Sequence, residues 1–321
     1  VTMTVNGYIK RISLDTYRTQ NRGGKGIKGM SMHEDDLIDQ FLMMVTHDYL
    51  LLFTNLGKVY RIKGYQVPVA SRTSKGIPIV NLLQLDKEEK VLAMVPVERE
   101  NSKARYLFFV TAQGTVKRVP IGEFENIRQS GKIAISLREG DSLVSVKPTT
   151  GKDQILIAAA NGQAIRFEES DVRPMGRTAS GVKGFNVNGS HVVGMSTSFE
   201  GRYILVVTEK GYGKKSEIED YRMTNRGGKG VKTVQITEKN GPLVYLRAVN
   251  GDEDCLIMTN EGIVIRISLK NVSVYGRNTQ GVKLISLDES QTVSTVAVVY
   301  KPEEDQDEEN DSSPSAEKDS Q

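Results

Sequence analysis

Tryptophan is absent from the 321 residues, cysteine occurs once, histidine three times and proline nine times. Cys255 alone cannot form an internal disulfide, and with only His33, His47 and His191 there is no Cys/His cluster at zinc spacing. No apolar run approaches the roughly 18 to 20 residues that span a bilayer, and no basic-then-apolar leader opens the chain. The sequence therefore reads as soluble and cytoplasmic, with no membrane partner. It opens at Val1, not Met, and so reads as a piece of something longer. Helical periodicity is nearly missing too, the stretch from Glu34 to Met44 being the one ambiguous exception. With aromatics at 6%, a platform for stacking single-stranded bases is a poor fit.

What is present is charge, unevenly spread. The last twenty residues, Pro302 to Gln321, hold nine acids against Lys318 and show no apolar periodicity, so residues 302–321 are expected to be a disordered acidic tail. The first 301 residues keep forty-two basic and thirty-one acidic side chains, a formal +11. A body of that charge suits a polyanion, the alternative being a solvated basic surface without a partner.

The chain also repeats itself. A β-rich run ending in Thr-x-x-Gly recurs at Thr4 to Gly7, Thr54 to Gly57, Thr111 to Gly114, Thr208 to Gly211 and Thr259 to Gly262, with Ala159 replacing Thr before Gly162. The glycines are spaced 50, 57, 48, 49 and 51 apart. A basic residue stands four after each (Arg11, Arg61, Arg118, Arg166, Lys215, Arg266), and an arginine fifteen after it in five copies (Arg22, Arg72, Arg177, Arg226, Arg277), with Arg128 one early in the third. A second glycine follows at nineteen (Gly26, Gly76, Gly181, Gly230, Gly281), with Gly131 two early. Runs such as Tyr49 to Phe53, Tyr106 to Val110, Tyr203 to Val207 and Cys255 to Met258 are rich in β-branched and aromatic residues and bounded by turn glycines. Each copy has room for about four strands. Four strands cannot stand alone, but radial repetition closes their edges. The expectation is an all-β, six-bladed propeller-like disc in one domain over 1–301, with copies at roughly 1–46, 47–103, 104–150, 151–200, 201–250 and 251–301.

Roles divide by position. The first glycine of each copy sits at a hairpin that needs positive φ, a structural duty. The basic residue four later shares a strand face with an apolar residue and is either packed near the strand end or a contact. The arginine at fifteen opens a polar, Gly-containing loop, often with a lysine nearby: Arg72 with Lys75, Arg128 with Lys132, Arg177 with Lys183, Arg277 with Lys283. A ring of such loops puts positive charge at equivalent points of a disc, and phosphate contact is expected there. Tyr106 and Tyr203 begin apolar runs and read as strand residues, not nucleophiles. Asp35, Asp36 and Asp39 read as a solvated face, not a metal site.

The first copy's loop reads Gln20-Asn21-Arg22-Gly23-Gly24-Lys25-Gly26, followed by Ile27-Lys28. Adjacent glycines let the backbone approach a phosphate and offer it N–H groups, while Arg22 and Lys25 supply charge. This string resembles the signature box of the C-terminal domain of gyrase A, the DNA-cleaving half of bacterial DNA gyrase, usually Gln-Arg-Arg-Gly-Gly-Lys-Gly, with Asn21 the departure. Gly76-Ile77-Pro78-Ile79-Val80-Asn81-Leu82-Leu83 and Val274-Tyr275-Gly276-Arg277-Asn278-Thr279-Gln280-Gly281-Val282 resemble the same family, and the likeness covers residues 1 to about 300. The fifth copy repeats the first almost letter for letter from Tyr221 to Lys232, so a second clamp is expected at Arg226, Gly227, Gly228, Lys229, Gly230 and Lys232.

The resemblance implies a six-bladed β-pinwheel with strand exchange between blades, wrapping double-stranded DNA right-handedly around its basic perimeter. It implies a parent isomerase that introduces negative supercoils with ATP and Mg. It also implies partners in the breakage-reunion domain that precedes it in the same polypeptide, and in the separate ATPase polypeptide of an A2B2 assembly, associated with the nucleoid. This chain carries no Gly-x-x-x-x-Gly-Lys-Ser/Thr loop, and the family's catalytic tyrosine belongs to the preceding domain. No catalysis, cofactor or metal of its own is expected, and the isolated domain is expected to be a monomer. The rivals are the corresponding C-terminal domain of topoisomerase IV, with fewer blades and a degraded box, and a protein-interaction propeller, which explains the period but not the box.

Overall fold

A computed structural model describes residues 1–16, 19–20, 27–28, 38–98 and 103–299. The second copy shows why these residues form this unit. Tyr49–Thr54 and Lys58–Lys63 pair antiparallel across the Thr54-Asn55-Leu56-Gly57 turn, and Val91–Val97 pairs on the other side of Tyr49–Thr54. Gly57 has φ +72°, and its N–H donates to Thr54 O at 2.9 Å. The Thr hydroxyl of the turn has its own duty: Thr4, Thr54, Thr111 and Thr259 Oγ1 accept the N–H of the residue after the glycine at 3.1 to 3.4 Å. At each of these threonines, at Thr208 and at Ala159, the pairing with the inner strand shifts register, a bulge that strengthens the local twist.

The fourth strand of each blade is borrowed. Ile77–Pro78 of copy two pairs with Tyr8–Lys10 of copy one, and Lys132–Ile133 of copy three with Lys58–Lys63 of copy two. Val182–Lys183, Val231–Lys232 and Val282–Lys283 likewise pair with the hairpins of the copies before them. Copy one closes the ring: Ile27–Lys28 pairs antiparallel and Thr19–Gln20 parallel with Ile263–Ser268 of copy six. The result is six blades, antiparallel but for the added Thr19–Gln20 strand of blade six, each with its outer strand exchanged from the following copy, as a pinwheel requires. The inner strands touch in succession from blade two round to blade six, and Val293–Val299 of blade six touches Ile38–Phe41 of blade one. Of the helically ambiguous stretch, Ile38–Phe41 is a strand and the next three residues belong to no helix or strand. Tyr106 and Tyr203 begin strands, as expected.

Exchange also explains the glycines beyond φ. A Cβ on Gly57 would lie 2.1 Å from Ile135 O, and one on Gly114 2.1 Å from Phe185 O, both from the copy whose chain crosses over. The core lies between blades. Leu107 and Phe109 pack toward blade two with Leu51 and Phe53, while Phe108 and Val110 pack toward blade four with Ile155, Ile157 and Phe167. Both faces of the first strand of each hairpin are buried in copies two to six, so it reads as a nearly continuous apolar run and not as an alternating one. Removing a side chain such as Phe109, fully buried and edge-on to Phe53 at 5.4 Å, costs about 3 to 5 kcal/mol.

Candidate nucleic-acid interface

The polar loops that carry Arg72, Arg128, Arg177, Arg226 and Arg277 each run directly into an outermost strand, so they stand on the rim of the disc. The best-described member is the fifth. Gly227 and Gly230 have φ of +87° and +71°, which only glycine adopts without strain. A Cβ on Gly230 would meet Ala164 O at 2.1 Å. Arg226, Lys229 and Lys232 are all exposed, as are Gly228 and the neighbouring Arg222. Lys183 of copy four, also exposed, lies against the same loop: a Cβ on Gly227 would be 3.9 Å from its Cγ. Lys183, Arg226, Lys229 and Lys232 therefore gather where the outer edges of blades three and four meet.

Of the first box, Asn21, Arg22, Gly23, Gly24, Lys25 and Gly26 lie outside the described residues, as does the acidic tail. Gln20 and Lys28, on either side of it, belong to the two short strands hydrogen-bonded to the edge of blade six, so the box starts and ends at that rim. Elsewhere on the rim, Arg128, Lys183 and Lys283 are exposed, and Arg72, Lys75, Lys132, Arg177 and Arg277 are half-buried. Lys75 places its ammonium 3.7 Å from the centre of the Tyr8 ring.

Several rim arginines also serve the fold. Arg226 donates from Nε to Asp171 O (3.1 Å) and from Nη1 to Lys183 O (2.8 Å). Arg277 repeats this on Asp220 O (2.7 Å) and Lys232 O (2.6 Å). Arg177 donates to Ile133 O at 2.6 Å and lies 3.3 Å from Glu123. Two nitrogens of each guanidinium in Arg226 and Arg277 thus staple the loop across a blade boundary.

At offset four the packed alternative holds. Arg11 donates to Val67 O, Arg118 to Val172 O, Arg166 to Ile218 O and Tyr221 O, and Lys215 to Leu269 O, each clamping a short 3-10 turn or its end in the next blade. Arg61 stacks over Tyr49 at 4.5 Å, and Arg266 pairs with buried Asp254 at 2.8 Å.

Three residues at offset three, Lys10, Lys117 and Lys214, escape a reading focused on offsets four and fifteen, yet the structure ties each to a rim loop. Their sequence signal is a doubled basic residue in alternate copies: Lys10-Arg11, Lys117-Arg118, Lys214-Lys215. At the centre of the disc, Lys147 Nζ sits 3.0 Å from both Glu200 oxygens and Arg247 Nε 2.7 Å from one of them, a cluster closed on itself across blades three to five. Among the described residues there is no group of three His, Cys, Asp or Glu placed to hold a metal, and no helix is long and apolar enough to cross a membrane.

A match to the family described as DNA gyrase C-terminal domain, beta-propeller, covers residues 1–43, 48–98, 105–150, 153–198, 202–250 and 253–299. The chain belongs to that family. The DNA gyrase A protein of Ureaplasma parvum serovar 3 is 48% identical over 299 residues, 93% of this chain but 35% of the relative. That of a Staphylococcus aureus strain is 48% identical over 314 residues, 97% of this chain and again 35% of the relative. The chain spans about a third of the curated relatives it matches. Among solved structures, a DNA gyrase A C-terminal domain superposes with a TM-score of 0.85 at 28% identity, covering 93% of this chain and 98% of the other. The C-terminal domain of a DNA topoisomerase IV gives 0.70 at 26% identity, covering 94% and 92%. The six matched segments carry the six hairpins, so the gyrase-family domain and the sixfold repeat are one and the same feature.

Proposed function

We propose that this chain binds double-stranded DNA without sequence preference and wraps it right-handedly around its rim, as the accessory domain of a gyrase-type topoisomerase. The observation that carries this reading is the set of basic loops at equivalent rim positions, with Lys183, Arg226, Lys229 and Lys232 gathered in one exposed group. Bending a short DNA site by 40 to 90° costs roughly 1 to 6 kcal/mol, and the elastic cost grows with the square of the angle, so a longer wrap needs many distributed phosphate contacts. A ring of loops meets that demand better than one patch.

In this reading Arg22, Lys25 and Lys28 with the glycines of the first box form one clamp and Arg226, Lys229 and Lys232 a second. Arg72, Lys75, Arg128, Lys132, Arg177, Lys183, Arg277 and Lys283 continue the track between them. Supercoiling, ATP, Mg and the catalytic tyrosine belong to partner parts: the breakage-reunion domain and the ATPase polypeptide of an A2B2 enzyme. The domain itself needs no cofactor, acts as a monomer and works in the cytoplasm at the nucleoid. Six copies, a nearly intact box and the higher TM-score to the gyrase domain favour it over topoisomerase IV. A nicked circle, ligated with the domain bound, tests the reading: a linking change of one sign, growing with protein, is expected. No change, or a change of varying sign, overturns it.

A further inference from the structure

Lys10, Lys117 and Lys214 have no exposed surface at all. Each ammonium meets the rim loop of the following copy through its backbone. Lys10 Nζ donates to Ser71 O (3.0 Å), Arg72 O (2.7 Å) and Ser74 O (2.9 Å). Lys117 does so to Gly176 O (3.3 Å), Arg177 O (2.6 Å) and Ala179 O (3.0 Å). Lys214 donates to Gly276 O (2.7 Å), Arg277 O (2.7 Å), and Thr279 O and Oγ1 (3.0 and 3.1 Å). The three acceptors hold the same places in each loop, and the middle one is always the carbonyl of the rim arginine. An ammonium has three N–H donors, which matches three convergent carbonyls; the first of them also accepts the N–H of the third residue at 3.2 to 3.3 Å, so it is above all the rim arginine's own carbonyl that a neutral aliphatic side chain would leave without its donor.

The other three copies carry Tyr60, Ile165 and Ile265 at this offset. The loops divide the same way. Behind the lysines stand Ser71-Arg72-Thr73-Ser74, Gly176-Arg177-Thr178-Ala179 and Gly276-Arg277-Asn278-Thr279. Behind Ile165 stands Asn225-Arg226-Gly227-Gly228-Lys229, with Ile165 Cδ1 3.8 Å from where a Cβ on Gly228 would be. Ile265 holds the offset before the first copy's identical Asn-Arg-Gly-Gly-Lys string. The backbones differ as well. Gly227 has φ +87°, whereas Thr73, Thr178 and Asn278 at the same place are not among the described residues of positive φ. The fifth loop is held through its own peptides, Gly227 N–H to Gly184 O (2.7 Å) and Asn186 N–H to Gly228 O (2.8 Å), with an isoleucine beneath.

We propose that Lys10, Lys117 and Lys214 are positioning residues for DNA contact, each holding from beneath a rim loop that lacks the diglycine box so that its arginine is presented at a fixed height. Outside the third copy, whose Arg128 loop stands behind Tyr60 and fits neither, the rim loops are then of two interchangeable types: one backed by a buried ammonium, the other carrying two glycines and a lysine of its own. The inference rests on the DNA-wrapping reading above, and the two fail differently.

The test uses this 321-residue chain at pH 7, with duplex affinity measured against salt. Lys214→Ile makes the salt slope shallower by about one, as Arg277→Ala does, since one phosphate contact is lost. Adding Gly276→Asn, Asn278→Gly, Thr279→Gly and Gln280→Lys, which converts the loop to the fifth copy's type, restores the slope. A Lys214→Ile protein with the parent's slope, or a converted loop that restores nothing, overturns the inference while leaving DNA binding intact. If Lys214→Ile alone does not fold, the five-substitution variant decides: folded with the parent's slope supports the inference, and unfolded overturns it. A parent chain that binds no duplex overturns the wrapping reading itself, before any variant is made.

Discussion

Arg226 of the fifth copy donates through Nη1 to the carbonyl oxygen of Lys183 in the fourth, 2.8 Å away. The side chain expected to meet phosphate is thus also a staple between two blades, whereas Lys229, three residues on, is exposed and has no such duty. Arg226→Ala should therefore lower the melting temperature and the wrapping of a ligated circle together. Lys229→Ala should reduce wrapping at unchanged melting temperature. The double variant should lose more linking change than short-fragment affinity, because the second clamp engages only DNA that has followed the curve. A double variant that wraps as fully as the parent would remove the fifth loop from the interface.

Glycine substitutions separate turn geometry from strand exchange. Gly114 and Gly140 both have positive φ, +85° and +73°, so alanine costs each about 1 to 2 kcal/mol of backbone strain. Gly140 faces open space, while a Cβ on Gly114 would lie 2.1 Å from Phe185 O in the crossing chain of the next copy. Chemical denaturation should find Gly140→Ala within that range and Gly114→Ala well beyond it. Equal losses would mean that the crossover is not what the glycine protects.

This contrast bears on what could be read from the sequence. The period of about fifty, the hairpin glycines and the rim arginines were legible because each copy repeats a local requirement: Thr54 and Gly57 solve the same turn as Thr111 and Gly114. Contacts between copies were not legible from local pattern. Nothing near Gly114 announces Phe185, and nothing near Lys117 announces the carbonyls of Gly176, Arg177 and Ala179, about sixty residues on. The offset-four residues were ambiguous for the same reason. Arg118 looks equally suited to a surface anion or to Val172 O until the neighbouring blade is in view.

If phosphate contacts dominate, affinity should be steeply dependent on salt. Neutralising about 6 to 10 phosphates gives a slope of log K against log salt of roughly −5 to −9. A slope near −2, or marked dependence on base sequence, would be incompatible with a distributed rim.

The nine acids of Pro302 to Gln321 are tethered beside a body of formal +11 and should compete with DNA for it. Truncation after Tyr300 is expected to raise affinity at low salt, with the difference vanishing as ionic strength screens both attractions. Unchanged affinity at low salt would leave the tail as a solubilising extension only.

The buried lysines give two observables that should move in opposite directions with pH. Burial lowers Lys10 and Lys214 to about 8, and burial with the nearby Arg177 guanidinium lowers Lys117 to about 7, from an ordinary value of 10.5. Arg277 adds to the effect at Lys214, and Glu123 opposes it at Lys117. Between these values and 10.5 the unfolded chain binds more protons than the folded one, so the lysines' contribution to stability rises with pH across that window. The same loss of a proton leaves each amine two N–H donors for three carbonyls, loosening the loop above it. Against a variant with all three changed to Met, denaturant stability of the parent should gain from pH 7 to 9.5 while its excess DNA affinity at fixed salt declines. Stability and affinity rising together would show that the amines hold the loops as well without their charge.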